Sequence, residues 1–264
     1  SPLTISAGTG TVTFGGPVGT GKPLKSLSVT AESTAINGGT VVTNSGSVSG
    51  GQSYSGNITL GSASTTLSML DTPTDFTLNS GKTLTNATNA DASLTIKTTA
   101  GIVLGANSGI SSATGKLNTI LWVDTDGNGG GIFVNSGASI SSNDGDVTLS
   151  GGTDYTTGYA RGTLATNLSG VRLDGSITSG SGSVLLRGQI GDIPENQNTL
   201  SPGGVFIVPS GSITSTSGNI TLVGYVGTNV AAGNALRGIR LGDGVTSNGQ
   251  ASLISTTGNI TLTG

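Results

Sequence analysis

The sharpest chemical motif in this 264-residue sequence is VDTDGNGGG, residues 123–131. Asp124, Asp126 and Asn128 fill the first three ligand positions of a calcium loop, where alternate side-chain oxygens converge on a hard cation. The bidentate acid that closes such a loop is missing, because the twelfth position is Asn135. A tight corner calls for Asp, Gly and Asn at the same spacing. Calcium at Asp124, Asp126 and Asn128 is therefore the one cofactor to test, and no metal site is assigned. The tandem Gly-Gly-x-Gly-x-Asp nonapeptides of calcium β-rolls are absent.

A second candidate is the carboxylate pair Asp144 and Asp146 in SSNDGDVTL. Glycosidases work with two carboxylates facing the substrate, and lyases use clustered Asp, Arg or Lys. The equivalent positions further along are Ser181 with Ser183, Ser217 with Asn219, and Thr257 with Asn259. All read as corner residues, so the pair is expected to form turns and no catalytic residue is assigned. The sequence contains no Cys and no His, which excludes disulfides and thiolate metal sites.

Binding chemistry is richer in three spacers, GTDYTTGYARGTLATNLS (152–169), QIGDIPENQNTLSPG (189–203) and YVGTNVAAGNALR (225–237). They carry Tyr155, Tyr159, Arg161, Tyr225 and Arg237, residue types that anchor interfaces. The spacers are expected to leave one corner of successive repeats and to stack along one edge. The segment 189–203 is expected to hold no core residue. The competing expectation is that each spacer contains an extra coil, which would halve the repeat.

The elements that must carry these groups are read from composition and repetition. Only 9% of residues are charged and 3% aromatic, while 47 are Gly. Scattered apolar residues in such a chain would mean disorder. Here Val, Ile and Leu fall in period-two triplets such as VRL, ITL and VTL, bounded by turn residues, which signals short strands. The phrases GIFVNSGASISSNDGDVTLSG, GVRLDGSITSGSGSVLLRG, GVFIVPSGSITSTSGNITLVG and GIRLGDGVTSNGQASLISTTGNITLTG begin at Gly131, Gly170, Gly204 and Gly238, with a fainter copy from Gly101. In each copy a middle apolar residue (Ile110, Ile140, Ile177, Ile213 or Leu253) stands five positions before a Gly (Gly115, Gly145, Gly182, Gly218 or Gly258).

One triplet buries nothing alone. Three triplets joined by Gly corners close a triangular coil, and neighbouring coils satisfy its backbone groups at about 4.8 Å spacing. The fold class expected is all-β: a parallel, right-handed β-helix with three short strands per coil and long loops along one edge. Residues 1–100 are expected to form irregular coils continuous with regular repeats over 101–264; an antiparallel sandwich for 1–100 is the competing reading. Val171, Leu173, Ile177, Val184 and Leu186 should point to the axis. Val103, Phe133, Arg172, Phe206 and Arg240 should form an outward ladder in which Arg guanidiniums stack on Phe rings. Thr148, Leu185, Thr221 and Thr261 should form an outward row too broken for ice binding. Trp122 reads as a plug beside the axis or at a corner.

Net charge is −3 with ten Lys and Arg placed singly, so nucleic-acid binding is not expected. No run of eighteen apolar residues exists, and membrane insertion is not expected. The opening SPLTISAGTG lacks the pattern of a signal peptide, so the chain reads as a mature segment.

The stretch from SLTIKTTAGIVLG through DGDVTLSGG, with the later SGNITLVG and TGNITLTG, resembles the β-helix repeats of filamentous-haemagglutinin-like large exoproteins, the adhesins of two-partner secretion. GTVTFGGPVG to GNITLGS is similar to repeats of the same adhesins and of autotransporter passengers. The resemblance implies a secreted rod at the bacterial cell surface that presents loops for attachment. Its implied partners are a host or neighbouring-cell surface protein or glycan, and further β-helix repeats of the same chain at both ends. The alternative is a polysaccharide-binding or polysaccharide-degrading β-helix, a lyase or hydrolase.

Overall fold

In the computed structural model the backbone alternates between extended triplets and Gly-rich corners, as period-two patterning requires. The structure describes residues 1–44, 46, 51–71, 75–163, 168–192, 202–227, 236–243 and 250–264. All regular structure among them is β-strand, and no helix is long enough and apolar enough to cross a membrane.

One coil shows the construction. Val171–Leu173, Ser176–Gly180 and Val184–Gln189 form its three sides. Val171, Leu173, Ile177, Val184 and Leu186 are buried, while Arg172, Leu185 and Arg187 alternate outward. Each side stacks in parallel on its counterparts. Ile177 pairs with Ile140 and Ile213, and that row runs from Ile110 to Leu253. The chain is a parallel β-helix. Each repeat of 34 to 39 residues is one coil, so the expectation of extra coils inside the spacers is overturned.

The second side is a nine-stranded sheet reaching from Thr11–Phe14 to Ser252–Ser255. It passes residue 100 without a break, because Thr83–Asn86 pairs with both Asn57–Leu60 and Gly109–Ser112. The strands of 1–100 pair in parallel, which rules out an antiparallel sandwich there. Their irregularity has a chemical cause. Buried Thr34, Thr43 and Thr65 interrupt the apolar axis. Gln52 donates to the carbonyls of Val41 and Ser68 and accepts from the Tyr54 hydroxyl. The first side is split at this point into sheets of three and six strands.

The corner after the second side is held by polar ladders. Ser142 and Ser179 donate their hydroxyls to the carbonyls of Gly145 and Gly182, 2.5 and 2.7 Å away. Asn118, Asp146, Ser183 and Asn219 each accept the backbone N–H of the matching residue one coil later. Asp144 likewise accepts from the Ser181 N–H at 2.6 Å, which holds its carboxyl below the usual range. The pair Asp144 and Asp146 is therefore corner hardware, as its alignment with Ser and Asn indicates.

The insertions follow the third side and precede the first, along one edge. Two expectations about them are corrected. The spacer 152–169 is not all loop, because Ala160–Arg161 returns to pair with Gly188 and Gln189. The spacer 189–203 is not free of core. Gln189 lies in a strand, Ile190 packs with Leu168, Val226 and Leu236 in a small second core, and Gly203 opens the next strand. A chain leaving a β-helix edge must cover the edge it leaves, and these apolar residues do so. Residues 193–201 of that spacer lie outside the described residues.

Leu241, Ile260 and Leu262 are 45, 43 and 49% exposed, whereas Ile207, Ile220 and Leu222 directly beneath them are fully buried.

Candidate functional site

On the outer face of the third side Thr148, Leu185, Thr221 and Thr261 stand in register, a Thr row broken by Leu185 as expected. One row further along the strands the chemistry changes. Lys97 and Trp122 are direct neighbours on adjacent strands, and the Lys97 ammonium lies 4.0 Å from the ring centroid. Trp122 is thus no axis plug. It faces outward, half-buried, because Leu121 and Val123 take the inward positions.

The segment 152–159 folds back over this face. Trp122 Nε1 donates to the Gly152 carbonyl at 2.6 Å, and the Tyr155 ring packs 5.3 Å from the indole. Ser150 donates its hydroxyl to the Tyr155 carbonyl. Asp154 braces the turn by accepting the Thr156 N–H, a bond that holds its carboxyl below the usual range. Arg187 closes the other side, donating to the carbonyls of Gly158 and Thr157 while its guanidinium lies 4.6 Å from the Tyr159 ring centroid. The strand then resumes at Ala160.

Tyr159 leans across the intervening strand to meet Tyr225 at 5.9 Å. Arg161, Gln189 and Tyr225 are direct neighbours on three consecutive strands, all at outward positions. Arg161 Nη2 binds Asp192 Oδ2 at 2.6 Å. Four of the five binding candidates, Tyr155, Tyr159, Arg161 and Tyr225, are therefore brought to one face. Arg237 is not: it begins the strand Arg237–Leu241 on the first side. The groups that sequence reasoning missed are Lys97, Arg187, Gln189 and Asp192. Lys97 was legible, since aligning SLTIK with NTILW puts it beside Trp122.

Asp124, Asp126 and Asn128 lie in the turn that precedes the next coil. Asp124 is 4% exposed with φ 54°, and its Oδ1 accepts the Gly129 N–H at 2.6 Å. Asp126 accepts both the Asn128 N–H and its side-chain amide. These oxygens face donors of their own turn, and no group of three or more acidic residues poised for a metal exists among the described residues. Burial, reinforced by the Asp126 charge and opposed by the Gly129 N–H and Arg161, pushes the Asp124 carboxyl up from 3.8 to about 6.

That shift sets a pH dependence. Between about pH 4 and pH 6 the folded chain holds a proton that the unfolded chain has released, so this group's stabilisation is complete below about pH 4 and is lost as pH rises through about 6. After allowance for solvent screening the loss is about 1–2 kcal/mol. In the Asp124→Asn chain the amide keeps the acceptor and tolerates positive φ. Its melting temperature should match the parent near pH 4 and exceed it at pH 7. Parallel pH profiles for the two chains would show that Asp124 does not titrate in this range.

The outward ladder of the first side stands in register through Val103, Phe133, Arg172, Phe206 and Arg240. Arg240 and Arg172 lie 4.4 and 5.9 Å from the Phe206 centroid, on either side of one ring. Arg172 also reaches Asp174 at 3.5 Å. Where the first side splits, a groove of about 300 Å³ is lined by Ser26, Ser28, Ser53, Thr77 and Asp75, with no aromatic wall. Asp75 there accepts the Gly101 N–H.

Comparison with known proteins gives no significant match to a family model, a curated protein or a solved structure.

Proposed function

We propose that this chain is a structural or adhesive β-helix rod of a secreted protein at the bacterial cell surface, without catalysis of its own. One observation carries the reading. The chain has one Trp and four Tyr; Tyr54 is buried, and the other four of these five rings gather on one outward face with Lys97, Arg161 and Arg187. Internal packing occupies Trp122, Tyr155 and Tyr159 but leaves Tyr225 45% exposed on the same face, and aromatic residues with Arg are the groups that anchor partners. The resemblance to exoprotein repeats supports the same reading.

The lyase or hydrolase reading requires carboxylates open to a substrate. Asp144 and Asp146 are committed to the next coil's N–H groups, and Asp124 to its own turn. Attachment is tested with the fluorescently labelled chain on intact bacterial and animal cells. Saturable binding, competed by unlabelled chain, is expected on at least one cell type. Binding to none overturns the adhesive reading.

A further inference from the structure

We propose that Arg161, Gln189, Asp192 and Tyr225 form a subsite for one neutral pyranose unit of a surface glycan, an inference that takes the adhesive reading one step further. The geometry begins with the strands. Arg161, Gln189 and Tyr225 are consecutive partners across three strands, so their Cα atoms are spaced at about 4.8 Å and the row spans about 10 Å. That is the reach of a single sugar ring with its substituents.

The groups in the row differ in how much of their capacity is spent. Trp122 is used up: Lys97 and Tyr155 pack on it and its N–H is bonded. Tyr159 lies under the Arg187 guanidinium. Tyr225 is 45% exposed and meets only the tilted Tyr159 ring among the aromatics. Its ring is the free platform. An aromatic face carries negative potential and attracts the polarised C–H groups on one face of a pyranose.

The polar neighbours suit the hydroxyls of the same ring. Gln189 supplies an amide donor and acceptor in the middle of the row. Arg161 and Asp192 add charged donors and acceptors at its end, which make stronger hydrogen bonds than neutral ones. Their mutual pairing at 2.6 Å also leaves the end of the site without net charge. An anionic sugar would have to compete with Asp192 for the guanidinium, so a neutral one fits better. Arg161, Gln189 and Tyr225 stand on paired strands, Asp192 lies just past the end of one, and Arg161 is further fixed by the backbone pairing of Gly130 with its carbonyl. Little ordering cost remains to be met on binding.

The test uses the whole chain, on an array of neutral mono- and oligosaccharides and on intact cells before and after periodate, which cleaves vicinal diols. Binding to neutral sugars on the array is expected, with cell binding lost after periodate. Tyr225→Ala should lower array binding roughly tenfold or more. Gln189→Ala should lower it as well, and Tyr225→Phe should restore most of what Tyr225→Ala loses. Thr221→Ala, on the same face two outward positions away, should change nothing. Unchanged melting temperatures separate lost binding from lost fold. Cell binding that survives periodate but not protease treatment would overturn the sugar site and leave the adhesive reading standing, with a protein as partner. Array binding without any cell binding would do the reverse. Array binding unaffected by Tyr225→Ala would place the sugar elsewhere and overturn this assignment.

Discussion

Ile177→Asp should destabilise the chain by more than about 4 kcal/mol and remove cooperative melting from the coils around it. Ile177 is fully buried and is stacked between Ile140 and Ile213. The position offers a carboxylate neither water nor a partner. Isolated ions in such a place neutralise themselves, so the variant should recover part of its stability as pH falls toward 4. Ile177→Val, which removes one methylene, should cost only about 0.5–1.5 kcal/mol. Each coil touches only its neighbours, so hydrogen exchange should rise first in 131–224 and spread outward. An Asp variant that melts within a few degrees of the parent would show that the axis is not where the coil alignment puts it.

Gly182→Val should be nearly as damaging for a different reason. A Cβ built at Gly182 falls 2.0 Å from the Gly145 carbonyl oxygen and 2.4 Å from its carbon. Both are backbone atoms of the preceding coil, so no side-chain rotation relieves the clash, and the coils must part. A loss of about 3 kcal/mol or more is expected in chemical denaturation. Gly127 provides the contrast. It has φ +78° but nothing within 4 Å of its Cβ direction, so Gly127→Ala should cost only about 1–2 kcal/mol of backbone strain. Equal losses at the two positions would mean that the coils absorb the added side chain and that close approach does not set the need for Gly182.

That distinction was not legible in the repeats. The sequence shows a Gly five residues after each middle apolar residue, and positive φ is the natural expectation for a Gly corner. Gly115 follows it, with φ 73°. Gly182 and Gly218 do not; they stack so that each Cβ direction points at the Gly of the coil below. The requirement comes from the neighbouring coil and is invisible in any single repeat.

The same boundary runs through the rest of the molecule. The sequence alone determined the parallel β-helix, its register over 101–264, the inward set around Ile177 and the outward ladder through Phe206, because each follows from side-chain alternation and from copies that must superpose. Over 1–100 it determined less, since Thr34, Thr43, Thr65 and Gln52 replace apolar residues on the axis and blur the period. Only the tertiary structure decided where the aromatics go. The segment 152–159 lies on the third side because the Trp122 N–H and the Arg187 guanidinium hold its carbonyls from strands about thirty residues away in either direction. The same structure placed Ile190 and Leu168 in a second core and set Arg161, Gln189 and Tyr225 in one row. These are single non-repeated contacts between distant residues. Periodicity carries no information about them, and their geometry exists only once the coils have stacked.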